Sequence, residues 1–378
     1  MVKYYNIEEF TERINNCNNI ICIGIGQRFT KMINLFDDVG ISRKISVLAD
    51  NNLDLIGTTY ALEDREVEIV SLPHLVNYIK PNSIIIIACT AYYEIIKQLE
   101  KYYDIKDIEI ICFSHIYALI SENNSLARKI PNNIKFDDNM LIPKIIHYCW
   151  FGGNPIPQKY KRWMESWHKY CPDYEIIEWN ESNYDITKNK YMYQAYKAGK
   201  WGFVPDYARL DIIYNYGGIY LDTDVEIVRN LDHLLFQKGF AGFESDQHVA
   251  LGLGFGARKG HPLIKEMLDQ YNDLSFVKEN GELNLTASPV LQTEILLRHG
   301  LKQNGEFQTI ADINIYPEKM FCAKSMASRL IRCADYTCSI HHYDASWQTD
   351  SFRYQNDVFE KEMNEFYGYL ASDSTIQH

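Results

Sequence analysis

Short apolar runs recur at regular intervals through the first third of the chain. Residues 20–25 (IICIGI), 45–49 (ISVLA), 83–89 (SIIIIAC) and 108–113 (IEIICF) are nearly unbroken aliphatic stretches of strand length. Such runs are expected of strands buried on both faces. Between them, residues 29–39 and 92–103 carry apolar side chains at helical spacing. This strand–helix–strand rhythm predicts a parallel, doubly wound sheet over residues 1–120. Residues 121–141 are polar and asparagine-rich and lack sustained periodicity, so they read as a linker. A second alternating set begins at Ile142. It comprises a strand from Ile145, a helix over 157–170 with Trp163 and Trp167 on one face, and a strand over 174–179. Strands over 239–243 and 253–257, helices over 262–271 and 289–299, an apolar stretch at 340–343 and a helical tail after Ser351 follow. The predicted class is α/β in two domains, 1–120 and 142–378.

The second domain is organised around residues 204–230, VPDYARLDIIYNYGGIYLDTDVEIVRN. Pro205 suits the first turn of a helix, where its missing N–H costs nothing. Gly217-Gly218 ends the helix, since glycine readily takes the left-handed conformation of a C-terminal cap. Ile219-Tyr220-Leu221 then predicts a short buried strand, and Asp222 and Asp224 follow it, the only Asp-x-Asp in the chain. In extended geometry residues two apart project to one face. Two such acids are either a solvated turn or a pair of ligands. Emergence from the carboxyl end of a buried strand, where open α/β sheets bind ligands, favours the second. Oxygen pairs of this kind suit hard cations such as Mg²⁺ and Mn²⁺.

Composition narrows the partners. The chain has 378 residues, 23% of them charged, and a formal net charge of −12. That balance argues against nucleic acid as a partner and against a polybasic membrane patch. The nine cysteines show no C-x-x-C and no paired zinc spacing, which fits a reducing compartment. The start of the chain lacks an apolar signal core, and no stretch approaches the ~20 apolar residues of a membrane span. The expected location is cytoplasmic, with peripheral association at the inner face of a membrane left open.

Gly24-x-Gly26 after the first strand, with Asp50 at the end of the second, has part of a dinucleotide-binding fingerprint. Phe29 stands where that fingerprint has its third glycine, which opposes close helix–strand packing. A Rossmann-like domain without a dinucleotide and a nucleotide-sensing or oxidoreductase module both remain open. The segments ICIGIG, VLADNN and SIIIIACTAYYEIIKQL resemble small Rossmann-like domains of bacterial glycan-assembly proteins.

From Ile142 onward four motifs occur in order: IPKIIHYCWFGG at 142–153, PDYARLDIIYNYGGIYLDTD at 205–224, SPVLQTE at 288–294 and HHYDASW at 341–347. This set resembles the family-32 glycosyltransferases, the DxD sugar transferases that include capsule enzymes and fungal mannosyltransferases. They are related to the catalytic domains of large clostridial glucosylating toxins. The resemblance implies a GT-A fold, a nucleotide-sugar donor (a UDP-sugar by the CWFGG and YLDTD context), Mn²⁺ or Mg²⁺, and retention at the anomeric carbon. It implies transfer of a hexose to a glycan or lipid-linked glycan in capsule or other surface polysaccharide assembly; a protein acceptor is the alternative. By position, Trp150 would stack on the donor base and Tyr220 would reach the donor, although both also read as core aromatics. Asp206 and Arg209 would hold donor sugar hydroxyls, or merely pair with each other as helix neighbours. Asp222 and Asp224 would hold the metal, and Ser346 and Trp347 would close over the diphosphate. One of His341 and His342 would add a further ligand, since strand alternation sends them opposite ways; His342 is the expected one. Ser288 stands where the family usually has glycine, which leaves that segment's role open.

Overall fold

The computed structural model describes residues 2–106, 108–344 and 350–368, with the side chains of 350–352 excepted. The chain divides into two compact units, Met1–Asn123 with Asp357–His378, and Asn124–Asn356.

The first unit carries strands β1 (Val2–Lys3), β2 (Ile20–Ile23), β3 (Ile45–Ala49), β4 (Thr59–Leu62), β5 (Arg65–Val70), β6 (Ile84–Ile87) and β7 (Glu109–Cys112). Their order is β1-β7-β6-β2-β3-β5-β4, parallel throughout except for the β4–β5 hairpin. Alternate residues of each buried strand serve different cores. Ile20, Cys22, Ile84 and Ile86 pack with Phe10 of α1 (Ile7–Asn15) and Phe29 of α2 (Gln27–Phe36). Ile21, Ile23, Ile85 and Ile87 pack instead with Leu72, Leu75 and Leu99. The aliphatic runs are continuous because both faces of the sheet are covered. A short α3 (Ile41–Lys44), α4 (Tyr92–Tyr102) and most of α5 (Phe113–Ala127) also belong to this unit. Asp50, read in the sequence as a fingerprint acid, accepts from the Ile25 N–H at 3.0 Å and the Asn52 N–H at 2.9 Å, so its carboxylate ties two loops together.

The second unit holds a mixed sheet built from β8 (Ile145–Cys149), β9 (Glu175–Trp179), β10 (Gly218–Tyr220), β12 (Gly239–Phe243), β13 (Val249–Ala250), β14 (Phe255–Ala257), β15 (Gln308–Ile310) and β16 (Ile313–Tyr316). Its order is β15-β16-β12-β14-β10-β8-β9, with β13 beside β12. Strand β10 is central, parallel to β8 and antiparallel to β14. A separate two-stranded sheet joins β11 (Val225–Ile227) to β17 (Ser339–His341). Helix α6 (Gln158–Tyr170) covers one face through Trp167. Helices α7 (Lys190–Lys197), α8 (Pro205–Tyr216), α9 (Pro262–Gln270) and α10 (Ser288–Arg298) bury Tyr191, Leu210, Met267 and Ile295 in the other core.

Two expected boundaries are corrected. Helix α5 continues to Ala127, into the segment read as linker, and buries Glu122 and Ser125. The tail helix α11 (Asp350–Tyr367), expected with the second domain, belongs to the first unit from Asp357 onward. There the Glu362 carboxylate accepts from Tyr92 at 2.6 Å and pairs with His115 at 3.0 Å, and Phe366 stacks on Tyr4. Among the described residues no helix is long and apolar enough to cross a membrane.

Candidate active site

The site forms where α8 passes into β10. Eight consecutive residues of α8, Asp206 to Ile213, are buried, so even its charged members lie inside the unit. The helix stops at Gly217, φ 71°, and Gly218, φ 103°. A Cβ on Gly218 would come within 2.8 Å of the Ile145 carbonyl and 2.9 Å of His147 Nε2. Glycine therefore lets β10 lie flush against β8. His147 contacts the Gly217 carbonyl through Nε2 at 3.0 Å and accepts the Trp179 indole N–H at Nδ1. Burial pushes it down to about 4, so it stays neutral and holds the turn.

Arg209 is the hinge of the charges. Its guanidinium lies 3.2 Å from Asp206 and 3.4 Å from Asp222, and over the Tyr220 ring at 5.2 Å. The Tyr220 hydroxyl bonds Asp222, and the Ser288 hydroxyl bonds Asp206. Ser288 thus takes part in the same network. Burial raises Asp206 to about 6 in spite of Arg209. Burial also raises Asp222, helped by the charge of Asp224. Gly252 sets the space: a Cβ there would fall 2.3 Å from Asp222 Oδ2.

Asp224 has different company. The β11–β17 register places Val225 opposite His341, which brings His341 Nε2 to 3.3 Å from Asp224 Oδ1. The Asp344 N–H donates to Asp224 Oδ2 at 3.1 Å. Burial alone would raise Asp224, but His341 overrides it and holds the carboxyl at about 2. Asp222, Asp224 and His341 each offer one ligand atom, all within 4.8 Å of one another. His342, the expected ligand, points elsewhere. Its ring stacks on Trp163 at 4.1 Å and its Nε2 contacts Glu226 at 2.9 Å. Adjacent strand residues project oppositely, and the register selected His341.

Trp150 follows β8 beside a cleft of about 510 Å³ lined also by Tyr148, Ile156, Met164, His168 and Glu178. Its indole donates to the Asn154 carbonyl and meets Tyr160 edge-on at 5.7 Å. Tyr160 in turn bonds Asp344, whose N–H reaches Asp224. A continuous line of contacts therefore runs from the cleft to the carboxylates. Ser346 and Trp347 lie outside the described residues. Glu244, which no motif marked, follows β12; burial pushes it up to about 7 against the opposing effect of His341.

Two carboxylates at a central strand end, a histidine from a distant strand and an aromatic cleft make a site able to hold a polyanion and a flat ring. Residues 157–241, which include Asp222 and Asp224, match the family described as glycosyltransferase sugar-binding region containing DXD motif. The chain is 31% identical over 141 residues to inositol phosphoceramide mannosyltransferase 3 of Schizosaccharomyces pombe, covering 36% of this chain and 39% of that protein. It is 34% identical over 132 residues to a mannosyl phosphorylinositol ceramide synthase of Saccharomyces cerevisiae, covering 34% of each. It is 30% identical over 159 residues to an uncharacterized glycosyltransferase of Acanthamoeba polyphaga mimivirus, covering 39% of this chain and 61% of that one. The chain thus spans less than two-thirds of each of these relatives. The solved PaToxG glycosyltransferase overlays with a TM-score of 0.33 at 17% identity, over 49% of this chain and 77% of that one, too loose a likeness to carry an argument. The matched stretch is thus similar to a glycosyltransferase sugar-binding region.

Proposed function

We propose that the protein is a metal-dependent, retaining glycosyltransferase that moves a hexosyl group from a nucleoside diphosphate sugar to a hydroxyl of a glycan or lipid-borne acceptor. The observation that carries this reading is the convergence of Asp222 and Asp224, inside the DXD match, with His341 from a later strand, their ligand atoms all within 4.8 Å. We read the second unit as a GT-A-type domain and the first as a Rossmann-like companion. The donor set of two carboxylates and one imidazole fits Mn²⁺ well and Mg²⁺ through its oxygens. Burial, aided by the charge of Asp224, keeps Asp222 raised even with Arg209 and His341 nearby, so a further positive charge at the pair would be favourable. A divalent cation held there would supply Lewis-acid neutralisation of the diphosphate leaving group.

The chain's own residues do the rest. Arg209 fixes Asp222 from behind and, with Asp206, presents polar edges to the sugar. Trp150 offers its face to the base, a contact worth ~1–3 kcal/mol. The names of the fungal relatives favour a second reading of the substrates, a mannosyl donor and a phosphoinositol-type lipid acceptor. That reading competes with the UDP-sugar and capsule-type acceptor expected from the motifs. A panel of UDP- and GDP-sugars incubated with the protein and Mn²⁺ decides the donor. Slow release of free sugar from one member is expected; no hydrolysis of any member, with or without candidate acceptors, would overturn the assignment.

The histidine assignment has its own test. His341→Ala is expected to weaken Mn²⁺ binding by at least about 10-fold, the scale on which even groups behind a ligand act. His342→Ala should leave the affinity nearly unchanged, as calorimetry would show, since its ring contacts Trp163 and Glu226 and none of the three candidate ligands. The proton competes with the ion. Burial opposes protonation of His341, but Asp224 raises it above its ordinary 6.5, so Mn²⁺ affinity should climb as pH rises through that raised value. In the metal-free protein the pair stabilises in the opposite sense. The His341 contribution is complete below pH 6.5 and fades above the raised value. The Asp224 contribution is complete above pH 3.8 and fades toward about 2.

A further inference from the structure

Arg329 is a buried cation to which the described residues bring no counter-ion. It is 9% exposed, and its guanidinium makes no ion pair and no side-chain hydrogen bond among the described residues. Its contact is the Tyr343 ring, 5.6 Å from Cζ. Arginine is rarely buried unless paired, so a guanidinium left this way has its binding capacity in reserve.

The backbone holds it there deliberately. Lys324 and Ile331 bridge across a tight loop, the Ser325 N–H bonds the Leu330 carbonyl at 3.1 Å, and the Arg329 N–H bonds the Ser325 carbonyl at 2.9 Å. Arg329 sits in the left-handed region at φ 60°, and Tyr343 does so at φ 52°. Non-glycine residues persist in that region only where their surroundings over-determine them, and such strain gathers at binding sites. Tyr343 is fixed by the Cys322 thiol at 2.7 Å and meets the His341 ring edge-on at 4.3 Å. His341 in turn lies 3.3 Å from Asp224. Arg329 is therefore connected through one ring to the metal-type cluster, and the same loop adds the buried Lys324.

We propose that Arg329 is a phosphate-binding residue, engaging an anionic phosphate oxygen of a substrate at the edge of the Asp222–Asp224–His341 site. The planar guanidinium fork matches phosphate bidentately, and the counter-charge that the described residues do not bring to it would come from the ligand. The proposal rests on the glycosyltransferase reading of the site. Two substrates carry this chemistry: the diphosphate of the donor, and the phosphodiester of a phospholipid-borne acceptor.

The test compares the wild-type chain with Arg329→Gln and Arg329→Lys. Calorimetry measures UDP and GDP with Mn²⁺, and pyrophosphate alone; co-sedimentation uses phosphatidylcholine vesicles with and without phosphatidylinositol. A fall of tenfold or more in nucleoside diphosphate affinity for Arg329→Gln, partly restored in Arg329→Lys, assigns the residue to the donor. Unchanged nucleotide binding with loss of phosphatidylinositol-dependent sedimentation assigns it to the acceptor. Equal behaviour of wild type and Arg329→Gln toward every probe overturns the proposal. If the wild type binds pyrophosphate through Arg329 but neither nucleotide, the transferase reading fails while the anion site stands. Because no described residue pairs an opposite charge with Arg329, the ligand-free melting temperature of Arg329→Gln should hold or rise. A fall in melting temperature together with unchanged binding would mark a packing role and overturn the proposal.

Discussion

Asp224→Asn is expected to lower sugar transfer by about 10³-fold or more while leaving the protein folded. A cation neutralising a leaving diphosphate contributes several kcal/mol to the transition state, and each 1.36 kcal/mol is about tenfold in rate. Asp224 is the member of the cluster whose charge is best secured, held at about 2 by His341, so under the proposed mechanism it would be the dependable anionic ligand at every working pH. Asparagine keeps the acceptor for the Asp344 N–H, 3.1 Å from the native carboxylate, and therefore the local loop. It loses the negative charge that both an ion and a protonated His341 require. With the main influence raising His341 gone, burial would carry its pKa downward against the remaining pull of Asp222 and Glu244. Initial rates in saturating Mn²⁺, with circular dichroism as the folding control, check the prediction. Transfer at the wild-type rate in metal-chelated Asp224→Asn would sink the metal-dependent mechanism.

Local pattern carried the parts of this fold that local physics controls. The runs at 45–49 and 145–149 are strands at those positions, because residues buried on both faces leave an unmistakable aliphatic signature. The helix at 205–216 and its glycine stop were equally legible. The β4–β5 hairpin was not: only Leu62 of β4 is buried and charged residues alternate along β5, so the pair lacks a continuous apolar run. The reach of α5 into the asparagine-rich segment was hidden for another reason. Its buried Ser125 is satisfied by Glu318, 193 residues away, at 2.7 Å, a partner that no window around residue 125 contains.

The same distinction separates the site residues. Asp222 and Asp224 could be read because one strand and one turn present them. The choice between His341 and His342 depends on how β17 registers against β11, a pairing across more than a hundred residues that alternation alone leaves two-fold. Gly252, whose missing side chain makes room for Asp222, gives no signal at all until the strands are assembled. Arg329 had no motif, and only its burial without a counter-ion makes it conspicuous.

Arg209→Met should be the most destabilising single change in the site, about 3–5 kcal/mol at pH 8, the cost of removing one partner from a buried charge network. The volume is nearly conserved, so the loss comes from charge. Asp206, 4% exposed, and Asp222 would face each other's charge without the guanidinium 3.2 and 3.4 Å away. The pH dependence identifies the cause. Burial already raises Asp206 to about 6 from 3.8 while Arg209 opposes it; without Arg209 the folded-state value climbs further. A carboxyl raised in the folded state penalises folding at pH values above its folded pKa, and protonation relieves the penalty as pH falls through it. Urea unfolding should therefore show a clearly larger loss at pH 8 than at pH 5. Adding Asp206→Asn to Arg209→Met should restore part of the stability at pH 8, since one stranded charge is gone. Arg209→Lys should retain most of the stability yet still impair transfer, because an ammonium supplies charge without the planar guanidinium that reaches Asp206 and Asp222 and lies over Tyr220. A loss independent of pH, or a double variant less stable than Arg209→Met alone, would show that Arg209 serves as packing rather than as the counter-charge that lets two acids share the interior beneath the site.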